Sequence, residues 1–137
     1  MNHSASRLKR RQSGFTLIEL IIVISVIAIL TAIAVPIYKT HIMHANEAVL
    51  KEDLHTLRSS IDQYTQDKQK APQSLDDLVS AGYIRALPVD PFTHSSTTWQ
   101  TVQEDINIAL DQTQPGITDV HSGSERTSAE GTLYSSW

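Results

Sequence analysis

The stretch Gly14-Phe15-Thr16-Leu17-Ile18-Glu19, continuing as LIIVISVIAILTAIAV to Val35, decides how this chain folds. From Phe15 to Val35 there are 21 residues and a single charge, Glu19. As a helix this run extends about 31 Å at about 1.5 Å per residue, which matches a bilayer hydrocarbon core of about 30 Å. Ser25 and Thr31 are compatible with lipid because each hydroxyl can return to a carbonyl one turn back. Thr16 lies at the start of the run, within reach of the membrane interface.

Working outward toward the N-terminus, residues 1–14 carry Arg7, Lys9, Arg10 and Arg11 and no acid. Basic residues flanking a span stay on the cytoplasmic side, so the C-terminal body is expected outside, anchored by one pass through the membrane. An ordinary secretory signal is the competing reading, with Ala32-Ile33-Ala34 as its small-residue cleavage site. Its apolar region would normally run about 7–15 residues, shorter than this one, and would not hold an acid.

Glu19 carries most of the information. A carboxylate in the middle of a membrane helix costs on the order of 2.5–3.5 kcal/mol on insertion scales. The cost is smaller near the helix start, where the backbone favours an anion, so a snorkelling first-turn carboxylate is one reading. The other supplies a cationic partner. Cleavage between Gly14 and Phe15 would expose an α-amine with a pKa of about 7.7–8.0, largely protonated at neutral pH. That amine can pair with Glu19 of its own helix or of a neighbouring copy. Pairing between copies would also fix their register, because an unpaired buried charge is strongly penalised.

Gly14-Phe15-Thr16-Leu17-Ile18-Glu19 resembles the processing signal of type IV pilins and type II secretion pseudopilins. The resemblance implies that a prepilin peptidase cuts after Gly14, that the new N-terminal Phe15 is N-methylated, and that Glu19 supports assembly. It divides the chain into a basic leader (1–14), a transmembrane and assembly helix (15–36) and a periplasmic domain (37–137). A glycine suits the cut because it has no side chain and can be held in an open backbone conformation.

Beyond the span, Pro36 is expected to kink or loosen the helix. The helical pattern then resumes. Leu50, Leu54, Leu57, Ile61 and Tyr64 form one apolar stripe with spacings of four and three. Lys51, Glu52, Asp53, Arg58, Asp62 and Asp67 fit a solvated outer face, where ion pairs contribute little. Ala71-Pro72 ends the helix. Ser74-Leu75-Asp76-Asp77 reads as an N-cap with acids in the first turn, ahead of inward-facing Leu75, Leu78 and Val79, and Gly82 stops that short helix. Pro88-Val89-Asp90-Pro91-Phe92 is a rigid turn. Residues 97–102 (TTWQTV), 106–110 (INIAL) and 117–121 (ITDVH) are strand candidates, and 122–136 is loop-like. Trp99, Tyr134 and Trp137 are expected to pack. The expected fold is α+β and pilin-like: a long N-terminal helix, half membrane and half amphipathic, packed on a small antiparallel sheet.

This C-terminal half is similar to the major pseudopilins of type II secretion, through Ala71-Pro72, Leu75 to Leu78, Gly82-Tyr83-Ile84, Pro88 to Phe92, and the ending Asp119-Val120-His121-Ser122-Gly123 through Trp137. The missing cysteine pair favours that side of the superfamily over many type IV pilins. The resemblance implies a homo-oligomeric helical filament, an inner-membrane secretion platform and minor pseudopilins as partners, and growth at the base that pushes a short piston. It also implies calcium in the C-terminal loop, for which Asp119, Ser122 and Glu125 (with Glu130 nearby) are the candidate ligands, although the family's glycine-rich run is absent here.

Composition excludes several other classes. From Pro36 onward there are 7 Lys and Arg against 14 Asp and Glu, an acidic body that argues against a nucleic-acid partner. With no cysteine there is no disulfide framework, thiol chemistry or thiolate metal site. His41 and His44 alone make no closed zinc site, and His55, His94 and His121 are out of register with them, so surface histidines are expected. No nucleophile–base set, phosphate-cradling loop or cofactor fingerprint occurs, and the chain is not expected to be an enzyme. A plain membrane-anchored binding domain remains the alternative, but it leaves the Gly-Phe junction and Glu19 unexplained.

Overall fold

The computed structural model describes residues 14–104 and 115–137. It divides into two compact units, one ending at Lys39 and one running from Thr40 to Trp137. Helix α1 (Leu17–Lys68) contributes to both.

In the first unit, α1 begins where Thr16 Oγ1 accepts the backbone N–H of Glu19 at 3.2 Å. Thr16 is therefore a helix cap rather than merely an interfacial residue, satisfying one of the donors a helix start leaves open. Ser25 and Thr31 donate to the carbonyls of Ile21 and Ile27, both at 2.7 Å, as their positions predict. Pro36 lies inside α1 and does not end it. Every residue from Gly14 to Ile42 is exposed, including a continuous run of isoleucine, leucine and valine. So much apolar surface is incompatible with water and calls for lipid or other protein around it.

The second unit holds the core. Leu50, Leu54, Leu57 and Ile61 are all buried, and Tyr64 packs at the edge, as the stripe predicts. They pack with Leu75, Leu78, Phe92, Trp99, Ile117, Val120 and Tyr134. The stripe closes at Lys68 because Gln69 turns to φ 55°, the left-handed conformation that usually ends helices. The helix thus stops before Ala71-Pro72, not at it. Helix α2 (Asp76–Ser80) buries Leu78 completely, and Gly82 takes φ 82° after it, as expected.

The start of α2 corrects the expected cap. Ser74 makes no side-chain cap; instead Asp77 Oδ2 reaches back to accept the N–H groups of Gln73 and Ser74, at 2.9 and 3.0 Å. Asp77 lies in the first turn of α2 and its carboxyl reaches back over the two residues whose N–H groups precede the helix.

Strands β1 (Gln100–Glu104) and β2 (Gly116–His121) pair antiparallel, with Gln100 opposite His121, Val102 opposite Asp119, and a bulge between Val102 and Gln103. β1 is exposed throughout, while β2 buries Ile117 and Val120 against the core. The first strand starts three residues later than the TTWQTV pattern suggests. Thr97 and Thr98 are instead held in a turn, Thr97 by Ser95 and Thr98 by Thr93 and the Ser95 carbonyl. Candidate strand 106–110 lies outside the described residues. The Asp90 turn is rigid as expected: Asp90 is fully buried, and its Oδ1 accepts the N–H groups of Phe92 and Thr93. Gly123 is required sterically, since a Cβ there would stand 2.0 Å from the Thr98 carbonyl oxygen. The architecture is the expected α+β arrangement, with the amphipathic part of α1 and a two-stranded sheet around one core.

Candidate functional site

In the first unit, a Cβ at Gly14 would meet no atom within 4 Å. Nothing described in the protein itself demands glycine there. Phe15 is 86% exposed, although a free phenylalanine ring normally seeks cover. Glu19 sits in the first turn of α1, where the Thr16 cap holds the helix start. Gly14, Phe15 and Glu19 thus share one accessible helix entrance.

In the second unit, Glu47 and Arg58 of α1 hydrogen-bond to the C-terminal segment. Glu47 is only 7% exposed, and its Oε1 accepts the Ala129 N–H and the Tyr134 O–H, both at 2.9 Å, while Oε2 lies 3.3 Å from His44 Nδ1. About three turns further along α1, Arg58 Nε meets Asp119 Oδ1 at 2.6 Å. Its Nη2 donates to the carbonyls of Val120 and Trp137, both at 2.9 Å. The Trp137 main-chain oxygen also lies within hydrogen-bond reach of His121 Nδ1. The solvated-face reading of Arg58 and the surface reading of His121 are therefore corrected: both are half-buried and gather the C-terminal segment. The aromatic residues pack as expected. Tyr134 stacks on Phe92 with ring centroids 3.9 Å apart and meets Trp137 edge-on at 5.1 Å.

Sequence reasoning missed Glu47, yet a signal existed. Extending the stripe Leu50-Leu54-Leu57-Ile61 by one step of three lands on Glu47, so an acid stands in an apolar register. Arg58 is four residues past Leu54 and three before Ile61, on the flank of the same stripe.

The calcium candidates are scattered in their engagements. Asp119 is bound to Arg58, and Ser122 Oγ donates to Asp90 Oδ2 in full burial. Glu125 is exposed. Among the described residues no three His, Asp or Glu side chains converge on one point. Calcium takes about 6–8 oxygens, and here a guanidinium already occupies the aspartate, so the residues present do not fit the ion.

Charge follows geometry. Burial pushes the Glu47 carboxyl up, but the donors Ala129 N–H and Tyr134 O–H, with His44, more than offset it and hold it below the ordinary glutamate value. Burial likewise raises Asp119, and the Val120 N–H, Arg58 and His121 bring it below the usual range. Tyr134 is pushed up to about 12 by burial and by its bond to Glu47. Burial, Asp90 and Glu52 raise Asp53, which works in the opposite direction on acidification. The unfolded carboxyls titrate near about 4.3 and 3.9, so above those values both states are ionised and the Glu47 and Asp119 contribution is complete. As pH falls through those values, the unfolded chain takes up protons first and the contribution disappears by the folded pKa. The thermal midpoint of the full-length protein in detergent is expected to stay flat from about pH 7 to 5.5 and to drop below about pH 4.5, with Glu47→Gln showing a shallower acid limb.

Residues 9–35 match the family model described as the prokaryotic N-terminal methylation motif. The chain is 35% identical over 100 residues to the type II secretion system core protein G of Aeromonas hydrophila, covering 61% of this chain and 70% of that protein. The core protein G of Pseudomonas aeruginosa is 34% identical over 100 residues, with the same coverage. The type IV major fimbrial protein FimA of Dichelobacter nodosus is 38% identical over 90 residues, which span 66% of this chain and 56% of that protein. No solved structure matches the chain.

Proposed function

Because the chain belongs to the type II secretion system core protein G family, a pilin-like group carrying the N-terminal methylation motif, we propose that it is the structural subunit of a periplasmic pseudopilus. In this reading residues 1–14 are the leader, 15–36 the membrane and assembly helix, and 37–137 the periplasmic domain. A prepilin peptidase cuts between Gly14 and Phe15, and Phe15 is then methylated. The N-terminus faces the cytoplasm, as the basic flank directs.

The observation that supports this most is the helix entrance. Gly14 stands in open space among the described residues, so its backbone is accessible to an outside agent such as a peptidase. Directly after it, Thr16 fixes the helix start and leaves Glu19 in the first turn. The fresh amine of Phe15 then neutralises that acid, in its own helix or across a neighbour. Head-to-tail contacts that repeat without closing give a helical filament, and burying the bare apolar faces against one another offsets the cost of leaving lipid. Growth from an inner-membrane platform, with minor pseudopilins as partners, would push a short piston. The role is structural rather than enzymatic. Core protein G is preferred over a surface fimbria because alignment with the former covers 70% of its length and with the fimbrial protein 56%.

Mass spectrometry of the membrane-extracted protein tests the reading. The expected mature chain starts at Phe15 and carries one added methyl group. A chain that retains Arg7 to Arg11, or one that starts near Val35, defeats it.

A further inference from the structure

Arg58 collects an unusual set of partners. Its guanidinium takes one carboxylate oxygen, Asp119 Oδ1, and two main-chain oxygens, of Val120 and Trp137. An aspartate with converging main-chain carbonyls is what a hard divalent cation recruits from a loop. Here the positive charge is covalent, and a second cation beside it would be repelled. The planar fork suits the task because several donors reach several oxygens at once.

Ser122 is also satisfied from within, and Glu125 is exposed. The Ser122 hydroxyl donates to the buried Asp90 carboxylate and accepts the Ser124 N–H at 3.1 Å. Further along, Ala129 and Tyr134 are tied to Glu47. Stations at 119–122, 129, 134 and 137 are thereby fixed to α1 or to the Asp90 turn.

We infer that the C-terminal segment 119–137 is ordered by Arg58 and Glu47 of α1 in place of a bound divalent cation, so that folding of this domain is independent of calcium. Arg58 and Glu47 are positioning residues: Arg58 is the internal counter-ion for the oxygens of 119, 120 and 137, and Glu47 is the internal acceptor for 129 and 134. A core protein G relative in this state could form its filament where free calcium is scarce.

The test uses the full-length chain in detergent, with thermal unfolding by circular dichroism and amide hydrogen exchange resolved by peptide. Adding a chelator, or about 5 mM calcium chloride, is expected to move the midpoint by less than about 1 °C, whereas a saturated calcium site would move it by several degrees. Arg58→Ala is expected to lower the midpoint by several degrees and to raise exchange in 119–137 at least tenfold, with calcium restoring neither. Arg58→Lys should recover part of the exchange protection, since it keeps the charge and loses the fork. If Arg58→Ala does not fold, the lysine variant and the wild-type calcium titration still decide. Calcium raising the wild-type midpoint by several degrees, a chelator lowering it, or Arg58→Lys matching wild type only with calcium present would each overturn the inference.

Discussion

Glu19→Ala is expected to abolish filament formation while leaving the second unit, Thr40–Trp137, as stable as before. Glu19 sits in the first turn of α1, and the buried core draws all its residues from Leu50 onward. Removing its carboxylate touches no core contact, so the domain's unfolding free energy should change by less than about 0.5 kcal/mol. In a filament the loss is large. In the proposed filament each subunit would then bring a protonated Phe15 amine into an apolar layer with no anion to meet it. Breaking a buried pair by removing one partner costs about 3–5 kcal/mol. Every 1.4 kcal/mol is about a tenfold change in an association constant, so the concentration needed for growth rises a hundredfold or more. Filaments sheared from cells or assembled in vitro, counted by electron microscopy and by cross-linked ladders, should vanish. Glu19→Asp should retain a fraction, since the charge persists on a shorter arm. Wild-type filament numbers from the alanine variant would remove the pairing argument altogether.

Tyr134→Ala should be the most damaging single change in the second unit. Tyr134 is 1% exposed, stacks on Phe92, meets Trp137 edge-on and donates to Glu47. Truncating a buried aromatic costs about 3–5 kcal/mol from lost transfer energy and the remaining cavity. The buried Glu47 carboxylate simultaneously loses a donor, which adds a desolvation cost. Small domains hold only about 5–15 kcal/mol in total, so much of the fold's margin disappears. For a unit of about 100 residues the midpoint should fall by roughly 15 °C or more. Tyr134→Phe separates the two contributions: it keeps the stack and removes the hydroxyl, and should cost about 1–3 kcal/mol. Urea unfolding of the full-length proteins in detergent measures both. A loss below 1 kcal/mol for the alanine variant would mean that the ring is not part of the cooperative core.

Legibility in the sequence followed the range of the interaction. The span from Phe15 to Val35, the apolar stripe and the stop at Gly82 are local patterns, and each is found in its place. The returns of Ser25 and Thr31 to their own helix are equally local. Errors arose where a side chain had two local roles open to it and a distant partner chose between them. Arg58 looked solvated because its neighbours are polar, but its partners lie 61 to 79 residues away. Ser74 was the expected cap, but the acid three residues on reaches back instead, and Asp77 takes the N–H groups of Gln73 and Ser74.

The order of residues alone determined that this chain has one membrane-length helix, an acid at its first turn behind a Gly-Phe junction, and an amphipathic continuation with a core face. Those features depend on contacts within a few residues, where backbone geometry sets who meets whom. Only the tertiary structure decided that Glu47 and Arg58 hold the C-terminal segment and that Asp119 and Ser122 are already spent on Arg58 and Asp90. Hydrogen bonds and ion pairs across such separations leave no periodic trace, since they form only after the core has brought the helix, the turn and the strand together.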